Sequence, residues 1–92
     1  MNNKNKQEIE KIINFFKVKN FKKVIELSQI FLKKNAESDF ILNILGLSFQ
    51  KMRKLDDAET SLIIANQINP ENISVLNNLG NNFKYKLNFS EA

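Results

Sequence analysis

A stretch of nine residues occurs twice in this chain. "LNILGLSFQ" at Leu42–Gln50 returns as "LNNLGNNFK" at Leu76–Lys84. A shift of 34 residues lays Leu42, Leu45, Gly46 and Phe49 on Leu76, Leu79, Gly80 and Phe83, and Ala58 on Ala92. In both copies the apolar positions recur at steps of three and four, the spacing of one buried helix face. A unit of this length cannot bury its own apolar face alone, so the chain is restricted to helix pairs stacked on their neighbours.

The repeat extends backwards with one adjustment. A shift of 33 lays Ile9, Ile12, Ile13 and Phe16 under Leu42, Leu45, Gly46 and Phe49, whereas a shift of 34 sets Glu8 and Lys11 in buried positions. Phe21 and Val24 match Leu55 and Ala58 at 34, so the first turn between helices is expected to be one residue shorter. Helices are therefore predicted over 5–18, 21–34, 39–52, 56–68 and 73–86, with a sixth starting at 90. The units are a degenerate 5–38, a full 39–72 and a truncated 73–92. Asp56 with Glu59 resembles a capping box, Asn20 and Asn88 suit left-handed turn positions, and Asn69-Pro70 ends the fourth helix. The closing "LNFSEA" echoes "RKLDDA" and "VKNFKKV", which makes Ser90 the N-cap of an unfinished helix and the chain a piece of a longer array. On that reading Leu76, Leu79 and Phe83 stay exposed, open to dimerisation or end-to-end stacking.

Two glycines, one proline and 42% hydrophobic residues agree with an all-α fold. Gly46 and Gly80 lie inside predicted helices, where each costs about 1 kcal/mol relative to alanine. Close approach of the next helix is the expected compensation, with Ala58 and Ala65 permitting it and Phe49 and Leu62 filling the space beside it.

With Pro70 added, this set of residues resembles the tetratricopeptide repeat, whose pattern is W-x2-L-G-x2-Y, A-x3-F and P. The second unit carries Leu42, Leu45, Gly46, Phe49, Ala58, Leu62, Ala65 and Pro70, with Leu42 in the tryptophan position. The third carries Leu76, Leu79, Gly80 and Phe83. In the first, Ile13 stands for the glycine and Val24 and Phe31 for small residues. The resemblance implies an α-α superhelix of antiparallel helix hairpins, about two and a half repeats long. It also implies a protein- or peptide-binding module without catalysis or cofactor, whose ligand lies in the concave groove of the first helices.

In that register the groove holds Gln7, Glu10, Asn14 and Lys17, then Phe40, Asn43, Leu47 and Gln50, then Ser74, Asn77, Asn78, Asn81 and Lys84. Asn14, Asn43 and the amides of the fifth helix form a polar column that resembles the asparagine ladder of arrays in protein glycosyltransferases. Asparagine both donates and accepts, so such a column can hold an extended peptide backbone. Fifteen asparagines in 92 residues also place some on any exposed face by composition alone. The carboxylate clamp of chaperone-binding members is absent: Glu10, Asn14, Ile44, Ser74 and Asn78 match it only at Asn14.

Other function classes find little support. No cysteine and no histidine means no thiol chemistry and none of the usual zinc ligands or general bases. Asp56 and Asp57 are adjacent, so they do not share a helix face, and at a helix start carboxylates favour the positive dipole end. Nine of the fourteen Lys/Arg lie in residues 1–34. They read either as a surface for nucleic acid or an acidic partner, or as solvated helix faces, and the lack of arginine there favours the second. No membrane-spanning run or signal peptide is present, and a cytoplasmic protein is expected. An alternative from the enzyme class remains: degenerate first repeats followed by "LNNLGN" resemble arrays preceding sulfotransferase or glycosyltransferase domains in bacteria, where they help select substrate.

Overall fold

Apolar residues at helical spacing, few glycines and short polar connections produce five consecutive helices. In the computed structural model, which describes residues 3–90, they are α1 (Asn3–Lys17), α2 (Phe21–Lys34), α3 (Asp39–Lys51), α4 (Leu55–Ile68) and α5 (Ile73–Ser90). No strand occurs among the described residues. Caps explain three of the starts. The Asn20 and Ser38 side chains accept from the Lys23 and Ile41 amides, and Asn72 Oδ1 accepts from Val75 N–H.

The second hairpin shows its direction through its contacts. Phe49 and Leu45 pack with Ala58, Gly46 meets Leu62, and Leu42 packs with Leu62 and Ala65, so α3 and α4 are antiparallel. Leu62 lies directly over Gly46 rather than beside it. A Cβ at Gly46 would stand 2.7 Å from Leu62 Cγ. The third odd helix packs back on α4 through Val75 and Leu79. Asn82, fully buried, donates to the Leu55 carbonyl at 3.0 Å, and Lys86 reaches Asp56 and Glu59 at 2.9 and 3.1 Å. Helix α1 is seated by Ile12, which shares a core with Val24, Phe31, Ile41 and Ile44. The odd helices approach in series, α1 with α3 and α3 with α5, whereas no Cα of α2 lies within 8 Å of one in α4, although Ile25 and Leu32 of α2 pack against the clusters that hold Ala58, Leu62 and Ala65. The odd helices thus neighbour one another in chain order.

Several boundaries differ from the sequence expectation. The α1–α2 and α3–α4 turns have equal lengths, so a shift of 34 holds throughout the first unit. Each turn closes with the same pair of bonds, Lys19 N to Phe16 O and Asn20 N to Phe15 O in one, Arg53 N to Gln50 O and Lys54 N to Phe49 O in the other. Lys19 and Arg53 are the left-handed residues, at φ 63° and 60°, not Asn20 or Asn88. Ile12, not Ile13, therefore stands in the place of Gly46, with Ser28 in the place of Leu62. Both are buried, so bulk and its absence have exchanged sides between the two hairpins. Helix α4 begins at Leu55 with Lys54 as N-cap, and no side-chain cap forms. Asp56 consequently lies inside the first turn and no capping box with Glu59 exists.

The largest correction concerns the fifth helix. It does not stop at 86 but runs unbroken through Asn88 to Ser90, so a turn at Asn88 and an N-cap at Ser90 are excluded. "LNFS" contains no helix breaker, and the added turn has contacts of its own: Phe89 lies 5.0 Å from the Arg53 guanidinium, beside the Lys86 ion pairs. The proposed match of Ala92 to Ala58 lies outside the described residues. Leu79, expected to be exposed, is buried against α4, while Leu76 and Phe83 are open.

Candidate functional site

The amides of α3 and α5 meet first of all with one another. Asn43, 8% exposed, donates to Ser74 Oγ at 3.0 Å and accepts from Asn78 Nδ2 at 2.9 Å. Gln50 Nε2 donates to the Asn78 carbonyl at 3.0 Å. These three bonds run across two parallel helices and satisfy groups that the layer would otherwise bury unpaired. Asn43 and Asn78 of the column, with Gln50 beside them, are thus joined to one another, and their hydrogen-bonding capacity is largely spent inside the protein.

What faces outward is a shorter set. Asn77, Asn81 and Lys84 are exposed on α5, Leu47 is half-buried on α3, and Phe40 is exposed at the start of α3. Asn77 and Asn81 are one turn apart and project on the same flank. Asn14 does not extend this row. In the true register it corresponds to Ser48, which lies on the face of α3 that packs on the preceding hairpin. Asn14 instead lines a cleft of about 500 Å³ on the outer flank of α1 with Gln7, Glu10 and Lys11.

A second feature was not anticipated. The extension of α5 carries Tyr85 and Phe89 beside Gln50, Lys51 and Arg53 around a cleft of about 200 Å³. Only the unbroken course of α5 builds it, and nothing in the repeat pattern signals it.

The electrostatics are local. Asp39 at the first turn of α3 accepts from Asn72 at 2.9 Å and Asn69 at 3.2 Å. The Asn72 bond, opposed by partial desolvation and aided by Asn69, holds its carboxyl below the ordinary aspartate value. Hydrogen bonds from Lys86 to Asp56 and then Glu59 raise the lysine above its ordinary value. Both arrangements tie loops and helix ends together. Along α2 the lysines alternate with Glu26 and Gln29 on an exposed flank, and Lys23 pairs with Glu26 at 3.5 Å. Among the described residues no three His, Cys, Asp or Glu side chains gather as metal ligands, and no helix is long and apolar enough to cross a membrane. Compared with protein-family models and with curated proteins, the chain matches none.

Proposed function

We propose that this chain is a peptide-binding interaction module of the tetratricopeptide type, and that its ligand lies extended along the layer of α1, α3 and α5. One observation supports the reading: the odd helices approach in series while no Cα of α2 lies within 8 Å of α4, which favours the odd helices as the inner side of a stack. On that layer the Asn43–Ser74–Asn78 bonds hold α3 and α5 in register, and Asn77, Asn81 and Lys84 remain outward for a ligand backbone. Phe40 and Leu47 add apolar surface to the same layer. The cysteine-free composition fits a reducing, cytoplasmic setting.

The test is selection of peptides from a random displayed library, followed by affinity measurement on Asn77→Ala/Asn81→Ala. Loss of two hydrogen bonds to the ligand backbone at about 0.5–1.5 kcal/mol each weakens binding by about 5- to 150-fold, with the circular dichroism unchanged. Equal affinity in the double variant removes this face from consideration.

A further inference from the structure

One flank of α5 is apolar, open and free of charge. Ile73, Leu76, Gly80, Phe83 and Leu87 follow one another at steps of three and four along the helix, a single seam of heptad spacing. Ile73 is 69% exposed, Leu87 64%, Phe83 49% and Leu76 46%, and nothing lies within 4 Å of a Cβ built on Gly80. In α3 the equivalent residues Leu42, Gly46 and Phe49 are buried under α4. The same face is therefore covered in one place and bare in the other.

We infer that the flank is an interface between two copies of this chain, in which the α5 helices pair antiparallel about a two-fold axis level with Asn81 and Asn82. This inference stands apart from the peptide-binding reading. The choice of occupant follows from the seam itself. When α5 is paired with its own reversed copy in that register, Phe83 of each helix falls opposite Gly80 of the other, and Leu76 falls opposite Leu87. The largest side chain of the seam meets the only position without one, twice, as an isologous contact requires. Knobs and holes thus match with no residue of a foreign partner needed. The flanking charges do not oppose the pairing, because Lys86 is engaged by Asp56 and Glu59, leaving only Lys84 at the edge. Four apolar side chains per copy, each about half to two-thirds exposed, make a small patch, below the scale of obligate dimers. The proposed dimer is therefore weak and reversible.

Sedimentation velocity over a range from low micromolar to millimolar should show monomer passing to dimer and no further. Gly80→Leu fills the notch where the monomer has open space, so it should raise the thermal stability of the dilute chain through helix propensity while lowering dimer affinity at least tenfold. The orientation is tested with thiols, of which the chain has none of its own. Leu76→Cys copies mixed with Leu87→Cys copies should cross-link under mild oxidation. Leu76→Cys copies alone should not, since those positions lie about 16 Å apart along the pair at 1.5 Å per residue. A chain that stays monomeric throughout, Gly80→Leu dimerising as well as the parent, or Leu76→Cys cross-linking with itself would each overturn the proposal. A monomer that instead captures a synthetic copy of residues 55–68 would overturn it in favour of an α4-like helix as the occupant.

Discussion

Alanine at the two glycines should act in opposite senses, and the difference isolates a single packing contact. Both glycines are helical with negative φ, so each substitution gains the same helix propensity, about 1 kcal/mol. At Gly80 nothing opposes the gain, because no atom lies within 4 Å of the new Cβ. At Gly46 the Cβ would stand 2.7 Å from Leu62 Cγ and 2.8 Å from Cδ2. Leu62 is fully buried among Leu42, Ala65, Val75 and Leu79, and its branch point can move only by displacing that core. Overpacking of this kind costs about 1–3 kcal/mol. The propensity term cancels between the two variants, leaving Gly80→Ala more stable than Gly46→Ala by about 1–3 kcal/mol. For a domain of this size that separates their melting temperatures by roughly 4 to 20 °C. Thermal and urea unfolding followed by circular dichroism on dilute samples would measure it. Leu62→Ala should largely abolish the penalty of Gly46→Ala in a double-mutant cycle. Equal shifts of the same sign at both glycines would refute the reasoning.

Three further outcomes follow from the polar contacts. Asp39 has a lower pKa folded than unfolded, so its contribution is present above the unfolded value and lost as pH falls through the folded one; Asp39→Ala should flatten the acid limb of a stability–pH curve below about pH 4. Lys86 has a raised pKa, so its contribution is complete below the ordinary lysine value and lost as pH rises through the folded one; Lys86→Met should remove that alkaline loss in unfolding monitored above about pH 10. Asn43→Ala deletes two inter-helix hydrogen bonds and should cost about 1–3 kcal/mol in urea unfolding, with faster hydrogen exchange in α5 than in α1 and α2.

The helices and the Gly46 contact were legible in the sequence because repetition doubled their signal. The second hairpin brings Leu42, Gly46, Phe49, Ala58, Leu62 and Ala65 together, but Leu62 lies over Gly46 instead of filling space beside it. The first unit misled by one residue, since apolar matching prefers to lay Ile13 on Gly46. The real constraint there is the backbone turn, and its left-handed positions are filled by Lys19 and Arg53, residues that carry no turn signal of their own. That slip also displaced Asn14 from its place on the outer flank. The end of α5 was misread for a different reason. Analogy with the earlier turns set a break near Asn88, yet no glycine or proline enforces one, and Phe89 and Lys86 hold the helix on with contacts to distant residues. Of the amide column, the residue types were readable but their use was not. Whether an asparagine bonds to a ligand or to the next helix depends on the spacing of α3 and α5, which only the packing determines.

The two outer helices of the layer differ chemically, so the two-fold pairing proposed for α5 and a head-to-tail contact would differ in what they bury. The outer flank of α1 presents Gln7, Glu10, Lys11 and Asn14 beside Phe15 and the exposed Val18, whereas the corresponding flank of α3 is apolar. A head-to-tail contact would set the Leu76–Phe83 seam against this mixed surface, whereas the proposed two-fold pairing sets apolar residues against apolar residues. A closed two-fold pair, as proposed, would use the seam of both copies and offer no apolar face of α5 to a third.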